Sequence, residues 1–198
     1  MKKICAVIVL LGIIVCLFGG CHTAEKEKLR YWMECDVDDE DVYTSASYQD
    51  YMEAYAFAEE VIDNAFATKS QIQSASDDLQ YAIDHLTKAT KGVYSIQCRW
   101  ALLSNNHVGN DWTKQVLYNQ KDVASTDIVA SLDSKISLTA IVTENDTVPD
   151  TAKQNIQIYL SDNSQTTAEI KVIENRGRYK GNAAVWQLVC TVMLVSRI

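Results

Sequence analysis

Two short polar segments in the second half of the chain, residues 104–112 and 144–150, carry side chains that could ligate a metal ion. Their candidate ligands are Asn106, Asn110, Asp111, Asp146 and Asp150. Carboxylate and amide oxygens are the ligands that a hard cation such as Ca²⁺ prefers. The five residues therefore form a candidate calcium site, provided that the two segments meet in the fold. The alternative is that they only make turns, because Asn, Asp and Gly accept turn geometry.

A third segment, residues 173–186, is locally basic in an acidic chain. In it, Arg176 and Arg178 lie beside Tyr179. Guanidinium groups form forked hydrogen bonds with carboxylates and stack on aromatic rings, so these three residues are candidates for holding an anionic glycan or a carboxylate. The alternative is a long hairpin in which glycines make the turn and the arginines pair with neighbouring acids.

The cysteines restrict the covalent chemistry of the chain. Beyond Cys21 only Cys35, Cys98 and Cys190 remain, so at most one intramolecular disulfide can form. Cys98 and Cys190 lie at apolar positions of the first and last strand-like segments. They bridge if those strands are neighbours with suitable spacing, or they remain a pair of buried free thiols.

The sequence contains no recognised catalytic motif. It has no Gly-x-Ser-x-Gly elbow, no His-Glu-x-x-His zinc helix and no phosphate-binding loop. Residues 36–41 include five carboxylates, but they lack the glycine and the terminal glutamate of a calcium loop, and a solvated acidic linker is favoured. We therefore expect a protein that is not an enzyme and has no resident cofactor, with calcium as the one open possibility.

The N-terminus has the organisation of a secretion signal. Lys2 and Lys3 precede an uncharged apolar run at residues 4–18. A helix of that length spans roughly 22 Å, less than the roughly 30 Å of bilayer hydrocarbon, which is typical of a signal peptide. Residues 17–21, Leu-Phe-Gly-Gly-Cys, resemble the lipobox of bacterial lipoproteins, with Phe18 where Leu, Val or Ile is usual. The resemblance implies cleavage before Cys21 and attachment of a diacylglyceryl group to its thiol.

The predicted location follows from this signal. Acylated Cys21 would hold the protein on the extracellular face of the cell membrane, and the alternative, an uncleaved anchor, also leaves the rest of the chain outside. Loss of Lys2 and Lys3 changes the formal charge from −8 to −10. Such a charge repels phosphates, so we expect no nucleic-acid partner and membrane contact only through the anchor.

The first half of the mature chain has helical periodicity. Apolar residues recur at three- and four-residue steps over 48–65 and again over 72–86. Ser47 is the predicted N-cap of the first helix, and Thr68 with Gln71 fits a capping box for the second. Because few residues separate the two stripes, an antiparallel helical hairpin is expected.

Residues 43–88 resemble the FIVAR repeat, a module "found in various architectures", with Tyr48 where Trp is usual. The resemblance implies a small helical module of cell-surface proteins from Gram-positive bacteria, with an accessory or adhesive role and no catalytic residues. The matching positions are Tyr43, Thr44, Ser47, Tyr48, Tyr51, Ala58, Val61, Ile62, Asn64, Ala67, Thr68, Ala75, Leu79, Ala82, Ile83 and Leu86.

After Gly92 the hydrophobic period becomes two. The alternating segments, with shorter candidates around Val116 and Ile128, predict about seven strands separated by polar turns, which is typical of a β-sandwich. The clearest segments are 94–102, 136–142, 156–160, 168–172 and 186–194.

The sequence around Asp146 and Asp150 resembles C-two-type calcium- and lipid-binding sandwiches over about a third of the domain, with Asn at several positions where aspartate is usual.

These features predict an α+β chain in which an antiparallel helical hairpin precedes an all-β sandwich. The expected parts are a lipoprotein signal peptide (1–20), an acidic tether (21–42), a FIVAR-like module (43–91) and the sandwich (92–198). The expected role is non-catalytic binding or adhesion to an extracellular glycan or protein. The alternatives are a calcium-dependent, C-two-like ligand- or membrane-binding domain and an accessory subunit of a carbohydrate-active enzyme.

Overall fold

The computed structural model describes residues 22–198, and the chain divides between Lys88 and Ala89 into two compact units. The first unit is helical and the second contains two antiparallel sheets of four strands each. The predicted α+β class with a sandwich-like part is thereby confirmed, although the described residues contain three helices and eight strands where a helical hairpin and about seven strands were expected. The predicted signal peptide (1–20) and Cys21 lie outside the described residues.

Helix α1 spans Thr23–Met33, α2 spans Ser45–Asp63 and α3 spans Lys69–Asp84, with a 3-10 turn at Glu40–Val42. The N-cap of α2 is Thr44 and not Ser47, because the Thr44 hydroxyl accepts the hydrogen bond of the Ser47 amide at 3.3 Å. The predicted capping box of α3 is present. Gln71 Oε1 accepts from the Thr68 amide at 2.8 Å, and Thr68 Oγ1 accepts from the Gln71 amide at 3.3 Å.

Helix α1 occupies residues that were predicted to form a solvated tether (21–42). Leu29 is completely buried in the same apolar cluster as Ala58 of α2 and Leu79 of α3, with Trp32 packed beside it. This helix has a weak sequence signal because its apolar face is narrow and charged residues surround it. Burial against a tertiary partner stabilises such a segment more than its own helix propensity does. The five carboxylates of residues 36–41 are exposed, as expected.

Polar contacts also attach α1 to the other helices. The Lys26 ammonium donates to the Ile62 and Asn64 carbonyls, both at 3.2 Å, at the C-terminal end of α2. Those carbonyls lack partners within the helix, and a cation there is favoured by the helix dipole. Salt bridges join Lys28 to Asp77 at 3.2 Å and Lys69 to Glu25 at 2.6 Å. The helical unit is therefore a three-helix assembly in which α1 is an integral part.

Eight strands form the second unit, with a 3-10 turn at Val123–Ser125. The strands are β1 (Lys91–Asn105), β2 (Trp112–Tyr118), β3 (Lys121–Asp122), β4 (Ile128–Ser131), β5 (Lys135–Glu144), β6 (Asp150–Tyr159), β7 (Gln165–Ile173) and β8 (Ala183–Arg197). One sheet has the order β4-β1-β8-β7 and the other β3-β2-β5-β6. The predicted alternation is visible in the burial: Leu138, Ala140 and Val142 of β5 are completely buried, as is Leu188 of β8.

The alternation fails at the end of β1. Leu102 is predicted to face the core but is 43% exposed, and the register of β1 against β8 shifts between Leu102 and Ser104. Such a bulge adds a residue to one strand and turns the following side chains. The last residues of β1 therefore extend beyond the core and lead into the loop that follows.

Cys98 of β1 and Cys190 of β8 are directly opposite each other, which confirms that their strands are neighbours. Their Sγ atoms are 3.3 Å apart and unbonded, whereas a disulfide has a length of about 2.05 Å. The contact between the thiols raises the pKa of Cys98, with burial adding to the effect, and lowers the pKa of Cys190 because the Cys98 thiol donates a hydrogen bond to its thiolate. The two thiols are therefore in direct contact across the β1–β8 pair.

Replacing Leu29 by alanine should destabilise the helical unit by about 2–5 kcal/mol, because the change leaves a cavity in a closely packed core. The measurement is chemical denaturation of the protein followed by the helical circular-dichroism signal. Tyr31→Ala on the same helix is the matched control, since Tyr31 is 64% exposed and its removal should change the free energy of unfolding little. Equal midpoints for the two variants would contradict the packing of α1.

Candidate functional site

Three loops meet at one end of the sandwich: β1–β2 (residues 106–111), β5–β6 (145–149) and β7–β8 (174–182). The Asn145 amide donates to the Asp111 carbonyl at 2.8 Å, which joins the first two loops. The Asn175 side-chain amide donates to Asp150 at 2.8 Å, which joins the second to the third. The three segments singled out in the sequence are therefore neighbours in space.

An open cavity of about 270 Å³ lies between the β5–β6 and β7–β8 loops. It contains all three residues that were predicted to hold an anionic ligand. The lining residues are Asp146, Thr147, Val148, Glu174, Arg176, Gly177, Arg178 and Tyr179. The sequence did not predict that Glu174 or the β5–β6 loop would line this cavity. The β5–β6 loop joins it only because the two sheets pack face to face.

The two acidic residues of the cavity use their carboxylates within their own loops. Asp146 Oδ1 accepts from the Val148 amide at 2.8 Å, and Glu174 Oε1 accepts from the Arg176 amide at 3.1 Å. None of the salt bridges within residues 22–198 involves Arg176 or Arg178. The alternative suggested by the sequence is present in part. Strands β7 and β8 form a hairpin, and Gly177 and Gly181 of its loop have positive φ, but neither guanidinium forms a salt bridge within residues 22–198.

Tyr179 is fixed by two neighbours. The imidazole ring of His107, from the β1–β2 loop, stacks on it with a centroid distance of 4.8 Å and an interplanar angle of 15°. The Arg178 guanidinium carbon lies 5.7 Å from the tyrosine ring centre. His107 has a positive φ of 56°, a conformation that is uncommon outside glycine. His107 was not predicted to belong to the site, since only the fold brings residues 107 and 179 together.

Beneath the loops, Glu144 at the end of β5 continues the inward-facing positions of that strand and is only 4% exposed. Its Oε2 has no hydrogen-bond partner. Burial raises the pKa of this carboxyl above its usual value, and the negative charge of Asp146 adds to the effect. Gly109 is required beside it, because a Cβ at that position would overlap the Glu144 carboxylate and because its φ is +86°.

Aromatic residues close the core at this end of the sandwich. Trp112 of β2 and Trp186 of β8 form an edge-to-face pair with centroids 5.5 Å apart, linking the two sheets. The ammonium of Lys114 lies 4.1 Å from the Trp186 ring centre, a distance at which a cation–π interaction is favourable. The aromatic pair therefore joins the two sheets at the point where the β1–β2 loop enters β2.

The predicted calcium ligands lie in or beside the loops at the same end of the sandwich, and the aspartates among them accept or approach amide groups there. Asp150 is 5% exposed and accepts both the Asn175 side chain and, at 3.3 Å, the Asn175 backbone amide. Asp111 Oδ1 is 3.4 Å from the Asn145 side-chain amide. Asn106 and Asn110 lie in the same loop as Asp111. In the part of the chain that the structure describes, no group of three or more His, Cys, Asp or Glu is placed to hold a metal ion.

Comparison with known proteins gives no relative: no family model, no curated protein and no solved structure matches this chain significantly. Within residues 22–198, none of the helices combines the length and the apolar character needed to cross a bilayer.

The buried Glu144 carboxyl should make the stability of the sandwich depend on pH. Its folded-state pKa lies above the ordinary 4.5, so the folded state binds the proton more tightly than the unfolded chain does. This contribution is fully present below pH 4.5 and is lost as the pH rises through the folded-state pKa. Glu144→Gln cannot ionise, and it should therefore be more stable than the parent at neutral pH.

Denaturant midpoints measured across a pH series test this expectation. The advantage of Glu144→Gln should shrink as the pH falls from neutral through the folded-state pKa, and it should be absent below pH 4.5, since the parent carboxyl is then protonated in both states. Glu169→Gln is the matched control, because Glu169 is exposed on β7. An advantage independent of pH would mean that packing, and not ionisation, distinguishes the variant.

Proposed function

We propose that this chain is a lipid-anchored surface protein whose β-sandwich carries a non-catalytic binding site for an extracellular glycan or protein. The ligand group recognised is an anion, with carboxylate as the leading class. The site is the cavity between the β5–β6 and β7–β8 loops.

The observation that carries the proposal is the pair of guanidinium groups, Arg176 and Arg178, that line one open cavity with neither in a described salt bridge. A guanidinium presents several donors in a planar fork that matches a carboxylate. Asp146 and Glu174 line the same cavity, but they accept backbone amides of their own loops. The two guanidinium groups therefore supply the charged donors of the cavity, and each of the two carboxylates has one oxygen engaged by its own loop.

The surroundings suit a polar ligand of saccharide or peptide size. The cavity is open and about 270 Å³ in volume, below the range of roughly 300–1,000 Å³ typical of enclosed small-molecule sites. Tyr179 is 40% exposed and Val148 is 41% exposed, so an apolar surface lies beside the arginines. Such a site would hold one charged residue of a longer ligand that extends over the loops.

The anchor and the helical unit belong to the proposal on the strength of the sequence. The lipobox-like segment ends at Cys21, immediately before the described residues, and supports acylation there. The helical unit contains the hairpin and the capping box predicted from periodicity and spacing, and the resemblance of residues 43–88 to a FIVAR repeat supports a surface role. We assign it the role of a spacer or docking module at the cell surface.

Changing both arginines to alanine should abolish most of the binding to acidic glycans. The Kd should rise at least roughly tenfold, because hydrogen bonds to charged groups contribute about 1.5–3 kcal/mol each. The measurement is a glycan array that contains uronic-acid and neutral glycans, followed by titration calorimetry with the strongest ligand. Arg176→Lys with Arg178→Lys keeps the charge but removes the fork, and it should bind with intermediate affinity.

Arg99→Ala is the matched control, since Arg99 is exposed on β1 and does not line the cavity. It should leave the Kd unchanged. Failure of the parent protein to bind any acidic glycan or protein would disprove the binding role. Binding that is equal in the parent and in the double alanine variant would disprove the assigned site.

Cys21→Ser should release the protein from the membrane, because a serine hydroxyl cannot receive the thioether-linked lipid. Fractionation of cells that produce the full-length chain should move the protein from the membrane pellet to the soluble fraction. Cys35→Ser is the control and should stay with the membrane. Mass spectrometry of the N-terminal peptide supplies the direct readout, and an unmodified Cys21 would contradict the anchor.

A further inference from the structure

Phe66 is the most exposed large apolar side chain among the described residues, at 92%. It lies in the turn between α2 and α3, residues 64–67, which we term the hairpin tip. The tip has a defined conformation: Asn64 Oδ1 accepts the Phe66 amide at 2.8 Å, and the Ala67 amide donates to the Asn64 carbonyl at 3.3 Å. Ala67 is buried. The backbone of the tip is therefore held in a way that directs one aromatic side chain into solvent.

The first turn of α1 lies beside the hairpin tip. Lys26 donates to the Ile62 and Asn64 carbonyls, and Glu25 pairs with Lys69, the first residue of α3. His22 and Thr23 line a shallow cavity together with Ala65 and Ala67 of the tip. The start of the described chain and Phe66 are consequently at the same end of the helical unit.

That end is where the proposed function places the bilayer. Cys21, the proposed acylation site, directly precedes His22, and consecutive Cα atoms are only about 3.8 Å apart. Because α1 begins at Thr23, almost no chain separates the lipid from the helical unit. The same holds if the apolar run of residues 4–18 remains as an uncleaved anchor, since that run also ends shortly before residue 22.

Charged side chains of both signs surround the tip. Lys26, Arg30 and Lys69 are basic, and Glu25, Glu27, Glu59, Glu60 and Asp63 are acidic. The exposed aromatic ring, and not the charge, is therefore the feature of the tip that suits a bilayer. Phe, like Trp and Leu, is a side chain that interfacial protein segments bury at the boundary between headgroups and acyl chains.

We propose that the hairpin tip is a membrane-contact surface and that Phe66 inserts into the interfacial region of the bilayer beside the lipidated N-terminus. The inference rests on the proposed anchor and adds a second attachment point to it. Two attachment points at one end fix the direction in which the helical unit points away from the membrane, whereas a lipid chain alone leaves the unit free to tilt.

The test uses a tryptophan as a depth reporter in the full-length protein, purified from membranes and reconstituted in phosphatidylglycerol–phosphatidylethanolamine vesicles with or without brominated acyl chains. Phe66→Trp is compared with Tyr81→Trp after subtraction of the emission from the four native tryptophans. Tyr81 is 64% exposed and lies near the C-terminal end of α3, far along the helix from the tip. It is therefore a matched control on the same unit.

The emission added by Phe66→Trp should shift to the blue and be largely quenched by brominated lipid, while that of Tyr81→Trp should show neither effect. Equal quenching at the two positions, or none at residue 66, would overturn the inference. A blue shift without quenching would mean that a second protein copy covers the tip, which also overturns it.

Flotation of the parent protein with the vesicles separates the two proposals. If the parent protein does not float with the vesicles, both the proposed anchor and the proposed membrane contact are disproved. If the protein floats, but the emission added by Phe66→Trp is unquenched, the anchor stays in place and only the role of Phe66 is removed.

Discussion

The antiparallel pairing of β1 with β8 is the constraint on which the sandwich unit depends. These are the first and last strands of the unit, and their register runs from Gly92 opposite Arg197 to Asn105 opposite Ala184. Closing such a long stretch of chain costs conformational entropy, which the long ladder of hydrogen bonds and the burial of Tyr94, Leu188 and Val192 offset. Within their sheet, β4 pairs with β1 and β7 pairs with β8.

The same pairing also builds the candidate site. At the end where β1 finishes, β8 begins, so the loop carrying His107 and the loop carrying Tyr179 leave the sheet side by side. The second sheet contributes the β5–β6 loop, and the Trp112–Trp186 pair links the two sheets at this end. The Glu144 carboxyl, buried below the loops without a partner for Oε2, is a local cost in stability. Such costs are often found where a protein binds something.

In the helical unit, the packing of α1 is the contact on which the other elements depend. Its contacts with α2 and α3 give a short hairpin a third element to pack against, which a small unit requires in order to bury enough apolar surface. They also bring the beginning of the described chain to the α2–α3 turn. Helix α1 was predicted to be part of a spacer. Because it packs against α2 and α3, it instead places the α2–α3 turn at the end of the unit that follows residue 21.

Much of the local structure was determined by the sequence alone, because the signals are local. The period-two alternation of residues such as Leu138, Ala140 and Val142 predicts strands, and Thr68 with Gln71 marks the start of α3, since capping involves residues only three positions apart. The basic segment around Arg178 could likewise be recognised from neighbouring residues. The helix at Thr23–Met33 could not, because Leu29 is stabilised by partners more than twenty residues away.

The site was decided by tertiary structure. No local pattern shows that His107 stacks on Tyr179, that Glu144 lies buried against Gly109, or that the aspartates predicted to share a calcium ion accept hydrogen bonds from loop amides. These relations depend on strand register and on the packing of two sheets, which place residues distant in sequence within a few ångströms. The sequence determined the types of residues available for chemistry, and the pairing of distant strands decided which of them meet.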